Sequence, residues 1–228
     1  ERDIYGKHEK LAKMLDEVQK SDSPNREILL EYMRECELGK VIKLRAKKKM
    51  DEATRLKHLR QLTRMSALLA KPFLKLKQVD VEEFILNLDR GKYKRVMDNK
   101  PLAQGTIVTY KETLKKFLTW MNEKKSTKLD VSFIDTYREE VEIPALPREA
   151  VELLVERSEY IRDKFIIQML FDSGARIEEF LNMRWEDLTW DESLKCYMVR
   201  IRISKTKPRT VSLQLSTKEV NTYKQQVE

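Results

Sequence analysis

Five glycines and six prolines in 228 residues supply too few tight turns for a sheet-rich chain, which points to a mainly helical fold. The apolar spacing agrees. Leu11, Met14, Leu15 and Val18 mark a first amphipathic helix. Ser23-Pro24 reads as an N-cap followed by proline at the first helical position, opening a helix with Ile28, Leu29, Met33 and Cys36 inward that stops near Gly39. A helix from about Thr54 buries Leu59, Leu62, Ser66 and Leu69, and turns Lys57, Arg60 and Arg64 to the opposite side. Asp80, with Glu83 three residues on, resembles a capping box for a short helix over Phe84 and Leu86. Residues 90–104 read as a polar loop, and a long helix from Thr106 carries Tyr110, Leu114, Phe117, Leu118 and Met121 on one stripe. Tyr110 and Trp120 could stack on nucleic-acid bases, but their spacing favours the core.

The character of the chain changes over 123–147, ending in Val141-Glu142-Ile143-Pro144 and Pro147, which marks an interdomain linker. We place it at 136–147, between a helical domain over 1–135 and a second domain over 148–228. In the second domain, Ala150–Val155 and then Ile161, Phe165, Ile166, Met169 and Leu170 predict two helices, the latter closed by Gly174. A third starts at once, with Ile177, Phe180 and Leu181 inward. The period then drops to two: Tyr197, Val199, Ile201 and Ile203, a turn at Pro208, then Val211, Leu213 and Leu215, which is a β-hairpin. Ser216 with Glu219 caps a last helix.

Charge narrows the partner. The chain carries +8. Residues 147–228 balance their charges, so the excess lies wholly in the first 146 residues. Lys40–Arg64 is its densest basic stretch, and a second runs from Lys195 to Arg209 without an acid. Such runs serve either as solvated faces or as contacts to a polyanion. Two cysteines, Cys36 and Cys196, suit a reduced intracellular compartment, with Cys36 a small core residue. His8 and His58 sit in unrelated segments, which argues against a zinc site. The longest apolar run, Phe165–Phe171, is interrupted by Gln168 and falls short of a bilayer span. The chain opens on Glu1 instead of Met, which suggests processing or cutting.

Chemistry concentrates in Ser173-Gly174-Ala175-Arg176-Ile177-Glu178-Glu179-Phe180-Leu181, followed by Trp185-Glu186-Asp187-Leu188. An arginine just after a helix-breaking glycine can face a phosphate with its guanidinium fork and with the helix N-terminus behind it. Glu179, one turn on, can hold that guanidinium. At the hairpin tip, Ser204-Lys205-Thr206-Lys207-Pro208-Arg209 offers a lysine able to give a proton to a leaving oxygen. Taken singly, these are a capping arginine and a basic turn.

Together, and in this order, they resemble the tyrosine site-specific recombinases, or integrases. The family pattern is Gly-x-Arg-x-x-Glu-x-x-x-Leu with a trailing Asp, matched here by Gly174, Arg176, Glu179 and Asp187 and followed by a hairpin lysine, for which Lys205 fits better than Lys207. Upstream, Arg2-Asp3-Ile4-Tyr5, the Thr54–Leu69 helix, Val79-Asp80-Val81-Glu82 and Thr106–Trp120 look like the helical core-binding (SAM-like) domain of archaeal-type integrases. The resemblance implies that core-binding domain plus the first part of an α+β catalytic domain with one hairpin. It implies double-stranded DNA as partner, no cofactor or metal, a cytoplasmic, nucleoid-associated protein, and a tetramer on two duplexes when complete. It further implies a 3′-phosphotyrosine intermediate, Arg176 on the phosphoryl oxygens, Lys205 as general acid and Glu179 behind Arg176. We assign DNA contacts to Lys57, Arg60, Arg64, Lys115, Lys207 and Arg209. The family's His-x-x-Arg motif and nucleophilic tyrosine belong beyond the hairpin. The 23 residues after Lys205 hold no histidine and one tyrosine, Tyr223, which comes too early and reads as a packing residue. The chain is therefore expected to bind DNA without cutting it, as a truncated recombinase. Two alternatives are a naturally short regulator of a full-length integrase and a basic helical scaffold with no enzymatic lineage.

Overall fold

The computed structural model describes residues 3–41, 49–138, 142, 144–204 and 207–227. Residues 42–48 of the Lys40–Arg64 basic run, Arg2, and both Lys205 and Thr206 lie outside the described residues. The chain divides into two units, Tyr5–Glu140 and a second built on Val141–Glu228.

The first unit is all helical: α1 (Lys7–Lys20), α2 (Arg26–Glu37), α3 (Glu52–Leu69), α4 (Gln78–Asp89) and α5 (Gln104–Lys125). α3 starts where Asp51 accepts from the Thr54 backbone N–H (2.9 Å), which satisfies one orphan donor of the first turn. Its apolar side (Leu59, Leu62, Met65) packs with Tyr32 of α2 and with Phe117, Trp120 and Met121 of α5 in one core. Tyr110 and Trp120 are buried there, as their spacing predicts.

Two predicted caps fall elsewhere. Asn25, not Ser23, precedes α2, and its buried amide ties three segments together. The nitrogen donates to Ser66 Oγ (2.7 Å) and the Lys71 carbonyl (3.1 Å), and the oxygen accepts from Phe73 N (2.6 Å). Asp80 stands one turn inside α4 and accepts from Lys77 N (2.9 Å), so it closes the capping box instead of opening it. Residues after α5 do not leave the unit at once. Leu129 and Ile134 are buried in its core.

His58 lies buried on α3, hydrogen-bonded to Tyr32 Oη (3.0 Å). Burial first, then the positive charges of Lys116 and Lys57, lower its pKa from 6.5 to about 3. The unfolded chain therefore binds a proton that the folded unit refuses. The stability this confers is complete above pH 6.5 and is lost as pH falls toward 3. Chemical unfolding of the parent should weaken with acid across that window. A His58→Gln variant should lose less over the same range, and parallel losses would refute the assignment.

The second unit holds α6 (Arg148–Arg157), α7 (Ile161–Ser173), α8 (Ile177–Leu181), a three-stranded antiparallel sheet and α9 (Thr217–Val227). Its core is Phe165, Met169, Val199, Leu213 and Val220. The sheet runs β1 (Leu188–Asp191), β2 (Cys196–Ile201), β3 (Arg209–Leu213), with β2 central. The predicted hairpin is the β2–β3 pair, in register Val199 opposite Val211. β1 is an addition: four residues whose turn contains neither Gly nor Pro. Asp191 builds that turn by accepting from Ser193 N (2.9 Å) and Leu194 N (3.0 Å), with Lys195 left-handed at φ 53°. Ser216 does precede α9, but its hydroxyl and N–H donate to Asp172 at the end of α7 (2.7 and 2.9 Å). Among the described residues no helix is long and apolar enough to cross a membrane.

Candidate functional site

In the second unit, α7 ends on Gly174 in the left-handed conformation (φ 57°), which reverses the chain within two residues. Arg176 then stands at the start of α8, its backbone extended. Glu179, one turn later, is the centre of the cluster. Its side chain is 5% exposed. Its Oε1 accepts from Arg176 Nη1 (3.0 Å) and Ser204 Oγ (2.8 Å), and its Oε2 from Arg176 N (3.1 Å) and Arg209 Nη2 (3.0 Å). Arg209 Nη2 also reaches the Gly174 carbonyl (3.3 Å). Burial alone would raise the Glu179 pKa. The hydrogen bonds from Arg209, Ser204 and Arg176 outweigh it and hold the carboxyl at about 2. Glu179 is thus an anion that ties the Gly174–Arg176 turn to both sides of the hairpin tip.

This arrangement revises two readings. Ile177 and Leu181 point outward and are exposed. Glu179 lies about 200° around the helix from Ile177, so drawing Glu179 inward turns the Ile177–Leu181 stripe to solvent. The helix N-terminus is also not an open anion site. α8 has only five residues, and the Arg176 N–H is spent on Glu179. What remains for a phosphate is the Arg176 guanidinium itself, anchored through one nitrogen with its side chain 56% exposed. Such a group offers its other donors in a fixed fork.

The second acid of the motif works in the same way. Asp187 is buried, accepts from Arg184 N (2.9 Å) and pairs with Arg202 Nε (2.8 Å), just past β2. Lys207 is exposed. Lys205 lies outside the described residues, so its assignment rests on the resemblance. Tyr223 stacks on Phe165 (4.6 Å between rings) and neighbours Trp185, as a packing residue should. Ser204 and the inward role of Arg209 were missed by sequence reasoning, which gave Arg209 to DNA. The only signal was an arginine at the first residue of a strand beside a buried acid.

In the first unit, Lys57 and Arg60 are exposed on α3. Arg64 is half-buried, donates to the Lys94 carbonyl and lies over the Tyr110 ring (5.9 Å). Lys115 donates to the Ile134 carbonyl (2.9 Å), so its ammonium is engaged. Its neighbour Lys116 is exposed and, like Lys57, acts electrostatically on His58. Among the described residues, no group of three or more His, Cys, Asp or Glu side chains could hold a metal.

Residues 144–228 match the model of the phage integrase family. The chain is similar to the XerH site-specific recombinase bound to difH substrate in a pre-cleavage complex, with TM-score 0.58 and 16% identity. It is likewise similar to that recombinase on a palindromic difH substrate in a post-cleavage complex, with TM-score 0.60 and 16% identity. Each alignment covers 96% of this chain and 62% of the recombinase, so the chain spans under two thirds of their length. At this identity the likeness speaks for the fold. No curated protein matches the sequence.

Proposed function

We propose that this chain, whose residues 144–228 match the phage integrase family, binds double-stranded DNA and holds a backbone phosphate at Arg176. The observation that carries the reading is a guanidinium fixed by a buried carboxylate yet open to solvent on its remaining donors, within the family-matched segment. On open surface, such a fork suits a phosphate of a polymer. The first unit, by this reading, is the core-binding domain. Lys57, Arg60 and Lys116 supply sequence-independent phosphate contacts there.

In the complete protein the function is site-specific DNA integration and recombination. A tyrosine oxygen attacks the scissile phosphorus and forms a 3′-phosphotyrosine. The 5′-oxygen leaves with a proton that Lys205 donates, and Arg176 stabilises the charge gathering on the phosphoryl oxygens. Glu179 and Arg209 keep Arg176 in place. Tyr223 is committed to the aromatic cluster, so it is not that nucleophile. By itself the chain binds without cutting, which is equally how a short competitor of a full-length integrase would act. The complete protein works as a tetramer on DNA in the cytoplasm.

The test is duplex DNA affinity against salt. Neutralising several phosphates predicts a log–log slope of about −0.9 per contact. Binding that is weak and indifferent to salt would overturn the proposal and favour a scaffold.

A further inference from the structure

Between α4 and α5, in the stretch read as a polar loop, the chain forms an ordered finger. Lys94 and Pro101 pair as an antiparallel bridge, Arg95 N donates to the Lys100 carbonyl (2.8 Å), and Asn99 N donates to the Arg95 carbonyl (3.1 Å). Arg95 also pairs with Asp98 across the turn. At the base, Tyr93 packs against the buried ring of Phe84 (5.2 Å), and Arg64 of α3 donates to the Lys94 carbonyl. At the tip stand Val96, 82% exposed, and Met97, 99% exposed. Folding a tight turn to present two adjacent aliphatic side chains to water gains nothing for this unit. Around them Lys92, Lys94 and Lys100 are exposed.

We infer that this finger is a wedge for duplex DNA: Val96 and Met97 enter a base step from the minor groove while Lys92, Lys94 and Lys100 engage the flanking phosphates. The inference rests on the DNA-binding reading above and extends it to a deformation of the duplex. Apolar side chains inserted from the minor groove beside cationic phosphate contacts unstack and kink base steps in this way, most easily at flexible pyrimidine–purine steps. Arg64 connects the finger to the cationic side of α3, so the tip and those phosphate contacts belong to one continuous surface. An anionic bilayer would attract the same charges. However, two short side chains bury less apolar area than a single myristoyl chain, whose membrane binding is itself marginal.

The experiment uses the full chain on short duplexes carrying 2-aminopurine at T-A steps, with end-to-end energy transfer reporting bending. The parent should raise 2-aminopurine fluorescence and shorten the end-to-end distance. A Val96→Ser/Met97→Ser double variant, altered only at side chains in solvent, should lose more than half of both signals. It should keep the salt slope and stay within about tenfold of parental affinity. A variant that unstacks and bends like the parent, or a parent that binds with neither signal, overturns the wedge and leaves DNA binding intact. Tip-dependent binding to phosphatidylserine vesicles without base unstacking would give the finger to a membrane instead. A parent that binds no duplex at low salt removes the DNA reading and the wedge together.

Discussion

Replacing Lys57, Arg60 and Arg64 together by glutamate is expected to lower duplex DNA affinity on the order of 100-fold at moderate salt and to flatten the salt slope by about three. Lys57 and Arg60 are exposed on α3, away from its apolar side, so their charges are available to phosphates and reversal leaves the core untouched. Reversal also sets like charges against the duplex, which costs more than deletion. Arg64 has a second duty, since it holds the finger at Lys94 and covers Tyr110. A Lys57→Glu/Arg60→Glu pair, with Arg64 kept, separates the two duties and should retain most of the loss. Arg176→Ala, by contrast, would remove one of the several proposed phosphate contacts and should shift bulk affinity by less than about fivefold. Equal binding by parent and triple variant at the same salt would show that the DNA face lies elsewhere.

The second large effect belongs to Glu179. Its carboxylate satisfies two arginines, a serine and a backbone N–H, so Glu179→Ala leaves those four donors competing for water around a small void. Arg176 and Arg209 are partly exposed and recover hydration, which limits the cost to about 2 kcal/mol. For a unit of this size, that is a fall of about 10 °C in its melting temperature. The pH dependence has a definite sign. The folded pKa is about 2 against an ordinary 4.5, so the folded unit prefers the ionised form. That stability is complete above pH 4.5 and is lost as pH falls through the window down to about 2. Scanning calorimetry of parent and Glu179→Gln should therefore show a gap that is widest near neutrality and narrows in acid. A gap independent of pH would mean that Glu179 acts through packing alone.

Much of this molecule is legible one residue at a time. Apolar periodicity places α1, α3, α5 and α7 because a helix must hide one stripe, and Leu59, Leu62 and Phe117 can be hidden nowhere else. Gly174 announces the turn before Arg176 because only a residue without Cβ adopts its left-handed backbone at no cost. The Gly174–Asp187 pattern carries the resemblance because its residues are close in sequence. Other choices depend on partners distant along the chain. Ser23 and Ser216 look like caps, but Asn25 takes the position before α2 with its amide claimed by Lys71 and Phe73, and Ser216 is claimed by Asp172, tens of residues away. Strand β1 exists because β2 has a second edge to pair, a fact invisible in four residues of Leu-Thr-Trp-Asp. Sequence alone therefore determined the helical class, the charge asymmetry and the place of Arg176 just after the Gly174 turn. Only the tertiary structure decided that Arg209 turns inward to Glu179, that Ile177 and Leu181 face water, and that Val96 and Met97 crown an ordered finger. The physical reason is that a buried carboxylate needs several donors at once, and no single stretch of this chain supplies them.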